Sequence, residues 1–303
     1  MRRSALLVVL CVGVVAAGCS SGGDDDAGRP PPDVTMYEGL GAWVDVYDYA
    51  PAFQTDGTPP DVIPEAVDDM DALGVETLYL QAAFADPNAP DDGVVDAELV
   101  GEFLERAHEH EIRVVAWYLP RLGDLEVDLR LIEAMHDFEA GDERFDSLAL
   151  DVEWIADVPD HGSRNEALVE LSERARETVG DQALGAIVLP PVQLEVVNPA
   201  LWPGFPWREL APHYDAWLPM AYYTFCEGEH RDAVRYVGES VRRLRANLDD
   251  EAAPVHAIGG IADVTTTVDV EGLLRVVDDE GLIGWSLYDY DTTPTPLWTR
   301  LRG

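Results

Sequence analysis

From residue 41 onward the chain repeats one pattern: a short apolar run, then a longer stretch with apolar residues at helical spacing. The runs fall at 41–46, 77–81, 113–118, 147–152, 183–189, 216–221, 255–258 and 282–287. They are near-continuous in Val, Leu, Ile and Ala, as parallel strands covered on both faces require. Helical patterns intervene at 97–110, 129–140, 165–179, 232–248 and 270–280. Asp96 and Ser163 suit helix N-caps, and Gly180 suits a helix stop. Eight such units over about 265 residues match the size and rhythm of an α/β (β/α)8 TIM barrel, one domain spanning 36–303. An open doubly wound sheet is the competing arrangement. No glycine-rich phosphate loop follows the first strand, so neither a nucleotide partner nor a cofactor is expected.

The first 35 residues stand outside this pattern. Arg2 and Arg3 precede an apolar run from Ala5 to Ala17, which ends in Val15-Ala16-Ala17-Gly18-Cys19. A positive start, an apolar middle and small residues before a cleavage point describe a secretory signal over 1–18. The run is too short for a spanning helix, which needs ~20 residues. The segment resembles the bacterial lipobox. That resemblance implies that Cys19 carries a lipid, and that the mature protein is extracytoplasmic and touches the cell membrane through its N-terminal lipid only. Residues 19–35 read as a linker of Ser and Gly, then Asp24-Asp25-Asp26, then Pro30-Pro31-Pro32. Of three cysteines, Cys11 leaves with the signal and Cys19 takes the lipid. Cys226 remains as a quiet thiol, so no internal disulfide is available.

Charge excludes a class of partners. The formal net charge is -39, from 59 acidic and 20 basic residues, and every basic residue is Arg. Such a surface repels nucleic acid, which needs basic patches. It also repels anionic lipid, leaving the tether alone to hold the protein at a membrane.

In a barrel of this kind, active sites lie where strands end and the following loops begin. Those positions are rich in acids and aromatics: Asp45 at the end of the first run, Gln81 at the end of the second, Trp117 and Tyr118 at the end of the third. The fourth supplies Asp151, Glu153 and Trp154, the sixth Met220 and Tyr222, the eighth Trp285, Tyr288 and Asp289. Strand side chains alternate faces, so Asp151 and Glu153 share one face while Leu150 and Val152 take the other. Two acids side by side repel, so one pKa rises, and a carboxyl kept protonated is a general acid for a leaving oxygen. His108 and His110 are two apart on a helix and face different ways, so no metal site is expected there. His213 and His256 lie near strand starts and read as structural. The proline- and aromatic-rich stretch 190–207 either walls a groove or packs against the barrel.

The stretch Asp146 to Glu153 resembles the D-x-x-D-x-D-x-E motif of glycoside hydrolase family 18 chitinases, with Ala149 in place of the middle acid. Met220-Ala221-Tyr222 resembles that family's sixth-strand motif. Leu150-Asp151-Val152-Glu153 and Gly284-Trp285-Ser286-Leu287-Tyr288 are also similar to strands of family 25 lysozymes. Either resemblance implies a glycan substrate. The first implies Glu153 as acid, Asp151 orienting the substrate's acetamido group, Tyr222 holding its oxygen and Trp285 flooring a sugar subsite. Asp45, Trp117, Tyr118, Gln81, Met220 and Asp289 complete the expected substrate contacts. A conventional second carboxylate would come from Asp45, Asp263 or Asp289. The competing expectation is a glycan-binding lipoprotein on a degenerate barrel, which Ala149 favours.

Overall fold

The computed structural model describes residues 32–54, 58–86, 89 and 93–303. The signal at 1–18, the lipid site Cys19 and the linker up to residue 31 lie outside the described residues. Eight strands form one parallel sheet: β1 Gly39–Val44, β2 Thr77–Gln81, β3 Arg113–Tyr118, β4 Ser147–Val152, β5 Leu184–Val188, β6 Ala216–Pro219, β7 His256–Ile261 and β8 Gly284–Tyr288. Neighbours run from β6 down to β1, then to β8 and β7. The two ends meet at parallel bridges joining Trp217 to Val255 and Met220 to Ile258. First and last strands pair and the seam is bridged, so the sheet curls into a nearly closed barrel and the doubly wound alternative falls away.

Helices cover the outside: α1 Val46–Tyr49, α2 Ala66–Leu73, α3 Ala97–Glu109, α4 Leu125–His136, α5 His161–Val179, α6 Trp207–Leu210, α7 Ala233–Leu248, α8 Thr267–Glu280 and α9 Thr295–Leu301. Six of them, α1, α3, α4, α5, α7 and α8, start after a side-chain cap, and this corrects several boundaries. Asp124 accepts from Glu126 N, so α4 begins four residues before the expected 129. Asp160, not Ser163, caps α5: its carboxylate accepts from Ser163 N. Asp96 caps α3 as expected, and α5 stops at Gly180. The first strand ends at Val44 rather than 46, because Asp45 caps α1 and turns the chain.

The alternation of each strand separates two cores. Leu40, Ala42, Val44, Leu148, Leu150 and Val152 face outward and pack under the helices. Trp43, Tyr79, Val115, Trp117, Ala149, Ile187, Leu218 and Ile258 fill the barrel. A 3-10 turn, Thr35–Tyr37, plugs the end where the strands begin. Tyr37, wholly buried, donates to Leu148 O at 2.7 Å and lies 2.7 Å from Ser147 Oγ. Its ring needs a missing side chain opposite: a Cβ at Gly185 would lie 2.8 Å from Tyr37 Cε1. Above it His256 bonds Tyr37 O at 2.9 Å, Tyr79 Oη at 3.1 Å and Ser286 Oγ at 2.9 Å. Burial pushes its pKa down to about 4, so the imidazole is neutral and structural, as expected from its place at a strand start. A Cβ at Gly284 would sit 2.2 Å from His256 Nδ1, so glycine there makes room for the ring.

Candidate functional site

At the opposite end of the barrel, beyond the strand C-termini, a cavity of about 720 Å³ opens to solvent. Asp45, Gln81, Trp117, Asp151, Glu153, Met220 and Tyr222, all expected at the site from sequence, border it. Strand alternation places them. Ala149 faces the barrel interior, so Asp151 and Glu153, two and four residues on, rise along the same face to the mouth. Trp117 follows Val115 on the inner face of β3, and Met220 and Tyr222 continue the inner face of β6.

Three expected residues are elsewhere. Tyr118 faces outward on β3, is fully buried and donates to Asp128 Oδ1 at 2.6 Å. Trp285 also faces outward: its Nε1 donates to Leu301 O at 2.9 Å, tying β8 to α9. Ser286 is the inward residue of β8, accepting from Trp43 Nε1 at 2.8 Å, and the next inward residue is Tyr288. Asp289 lies in the loop beyond, outside the cavity lining, and Asp289 Oδ1 accepts from Thr292 N at 2.9 Å. The cause is parity. Neighbouring aromatics at a strand end project to opposite faces, and closure of the barrel selects which one lines the mouth. Tyr288 takes the position expected for Trp285, donating to Asp45 Oδ2 at 2.7 Å, with its ring 6.3 Å from that of Tyr222.

The acids here are held in low-dielectric surroundings. Asp151 is only 7% exposed, and its Oδ1 is sealed from solvent without a hydrogen-bond partner among the described residues. Burial, and then the charge of Glu153, pushes the Asp151 carboxyl well above its ordinary range. Burial raises Glu153 as well. Two raised acids on one face titrate as a pair, which retains a proton above the ordinary carboxylate range. Burial, then the Asp151 charge, also keeps the Tyr222 hydroxyl protonated, so it is a donor. Trp117 Nε1 and Trp154 Nε1 are buried donors without a partner among the described residues, and both residues border the cavity. A buried polar group without a partner costs roughly 1–3 kcal/mol. Its presence at the mouth marks where an incoming ligand can recover that cost.

Several lining residues had no distinguishing sequence pattern: Phe84, Arg121 and Phe225 arrive from the segments between strands and helices and Tyr236 from α7, while Tyr47, near the end of the first apolar run, comes from α1. Tyr47 and Phe225 are 56% and 74% exposed, so two aromatic faces stand open at the rim. The stretch 190–207 divides between its two expected roles. Pro190, Gln193, Val197 and Leu201 wall the cavity, whereas Trp202, Phe205 and Trp207 are buried against the barrel. Cys226 borders the cavity, and burial raises its thiol pKa, consistent with a protonated thiol.

Among the described residues, one trio of acids could gather around a cation: Asp45, Asp48 and Asp289, with oxygens within 4.8 Å of one another. Local donors already use these groups. Asp45 accepts from Tyr47 N and Tyr288 Oη, and Asp48 accepts from Asp45 N, which closes the capping box of α1. Burial and the Asp45 charge push Asp48 up to about 8.

No protein-family model matches the chain, and no curated protein matches it by sequence. Solved structures match it closely in fold. The spore cortex-lytic enzyme SleL of Bacillus cereus superposes with a TM-score of 0.63 at 9% identity, covering 88% of this chain and 73% of that one. The PgaB (BpsB) glycoside hydrolase domain of Bordetella bronchiseptica gives 0.60 at 16% identity, over 88% and 98%. A class V chitinase of Pseudomonas fluorescens gives 0.60 at 9% identity, over 88% and 98%. The fold is therefore a TIM barrel, which these solved structures share. At these identities the likeness extends to the backbone and no further.

Proposed function

We propose that this protein is a cell-envelope glycoside hydrolase that cleaves a β-linked, N-acetylated glycan, with Glu153 as general acid. The observation that carries the proposal is the meeting of Glu153, Asp151 and Tyr222 in one deep aromatic cavity at the strand C-termini. Fold alone does not imply activity; the site has to supply it. Burial favours the protonated form of Glu153, so its proton goes to the glycosidic oxygen as the bond to the anomeric carbon breaks. The substrate's own acetamido oxygen attacks that carbon, Asp151 orients the acetamido group, and Tyr222 donates a hydrogen bond to its oxygen. Water then opens the cyclic intermediate, returning a proton to Glu153. This route needs no protein nucleophile, an exception to the scheme of two flanking carboxylates. Exposed Tyr47 and Phe225 offer aromatic faces to sugar rings at the rim of the cavity.

The address is part of the proposal and rests on the sequence at 1–19. Cys19 lipidation would hold the barrel outside the cytoplasmic membrane, where it meets envelope glycans. Replacing Cys19 by Ala should move the protein from the membrane to the soluble fraction. The catalytic test is Glu153→Gln, which keeps shape and removes the proton donor. It should abolish sugar release from chitin oligomers or peptidoglycan while glycan binding survives; undiminished turnover would reject Glu153 as the acid.

A second reading is a glycan-binding protein without turnover. Ala149 favours it: the family 18 motif has an acid there, and here a wholly buried methyl group packs inside the barrel below Asp151. Binding across a glycan panel with no release of sugars from any member would decide for it.

A further inference from the structure

We infer that Arg121 is a specificity-determining residue and that the glycan in this cavity bears a carboxylate on its sugar units. The inference rests on the glycan-cleaving reading and names its substrate class. Among the described residues Arg121 is the one arginine whose guanidinium has neither a hydrogen bond nor an ion pair. The others are bonded to carboxylates or backbone carbonyls. A guanidinium with no bond at all is the exception: Arg130, Arg164, Arg245 and Arg302 also lack a carboxylate partner, but each is bonded to backbone carbonyls. It lies 5.0 Å from the ring centroid of Trp154 and borders the cavity, the one basic residue that does.

The loop that carries it is built, not loose. Asp128 on α4 accepts from Arg121 N at 3.1 Å and from Leu122 N at 2.9 Å, and Tyr118 donates to the same carboxylate. That buried carboxylate pins the backbone after β3, and the guanidinium lies over the Trp154 ring, so less freedom is lost when a ligand binds than for an unsupported side chain. A planar fork of donors held this way matches a carboxylate in two parallel hydrogen bonds. The neighbouring acids do not reverse the preference. Burial moves Asp45, Asp151 and Glu153 toward their neutral forms, whereas Arg121 keeps its charge at every relevant pH. Asp86 is the remaining lining acid.

A sugar carboxylate can come from a lactyl ether on an amino sugar or from a uronic acid. The test therefore uses three tetrasaccharides of equal length: the N-acetylglucosamine–N-acetylmuramic acid repeat, the hyaluronan repeat and neutral chitotetraose. Calorimetric affinities are measured on Glu153→Gln, so turnover does not enter, and again on Glu153→Gln with Arg121→Gln or Arg121→Lys. A charge-assisted pair predicts roughly ten- to hundredfold tighter binding of at least one acidic ligand than of chitotetraose. Arg121→Gln should erase that margin, Arg121→Lys should keep part of it, and rising salt should narrow it. The acidic ligand that holds the margin identifies the source. Chitotetraose binding as tightly as both acidic ligands, or Arg121→Gln weakening all three alike, would overturn the inference and leave the hydrolase reading standing. Absence of binding by all three rejects both.

Discussion

The two ends of the barrel interior contain similar residues in opposite conditions. At the strand N-termini, Tyr37, Tyr79, Ser147, His256 and Ser286 form a closed network in which hydroxyl and imidazole groups find partners within the protein. At the C-terminal mouth, Asp151 Oδ1, Trp117 Nε1 and Trp154 Nε1 are equally buried and have none. Satisfied polar groups in a core specify one packing; unsatisfied ones are retained where something else requires them. Five other buried polar atoms among the described residues also lack a partner, Arg113 Nε at the start of β3 among them, so it is the gathering of three around one cavity that separates the site from the floor.

If the contrast is sound, changes at the mouth alter chemistry and changes at the floor alter stability. Glu153→Gln should lower turnover by roughly 10²–10⁴, the usual contribution of a positioned general acid. Its thermal midpoint should stay close to that of the parent, as checked by sugar release and calorimetry. Tyr37→Ala should do the reverse, costing about 3–5 kcal/mol in chemical denaturation as a large buried ring is lost, with kcat per folded molecule unchanged. Tyr222→Phe removes one hydroxyl from the mouth and should cut kcat/KM by roughly tenfold, the worth of one hydrogen bond, with no loss of stability.

A further effect is expected in pH dependence. Asp48 has its pKa pushed up to about 8 by burial and by the Asp45 charge, from an ordinary value of 3.8. A carboxyl raised in the folded state binds its proton more tightly there than in the unfolded chain. Its contribution is therefore fully present below pH 3.8 and is lost as the pH rises through about 8. Asp48→Asn should match the parent's thermal midpoint near pH 4 and exceed it increasingly up to about pH 8, with a constant difference above. A midpoint difference that shrinks across that range would contradict the assignment.

Much of this was written locally in the chain. Eight apolar runs in alternation with helical stretches determined a parallel sheet covered on both faces, because such strands are apolar throughout; its closure into a barrel was decided by the pairing of β1 with β8 and the bridges between β6 and β7. The same local rule put Asp151 and Glu153 on one face, since side-chain period is a property of the strand itself. Asp96 as a cap and Gly180 as a stop were likewise decided within a few residues. Tertiary structure decided which face is inside. Trp285 and Tyr288 are both aromatic and both near the end of β8. Only closure of β8 against β1 and β7 turned Tyr288 to the mouth and Trp285 under α9. Tyr118 beside Trp117 met the same choice on β3. Arg121 and Phe225 carry no periodic signal at all, because they sit on loops brought to the cavity by a ring of strands far apart in sequence. Periodicity fixes relative facing within an element; the sign of that facing, and every contact between loops, is set by the closed barrel.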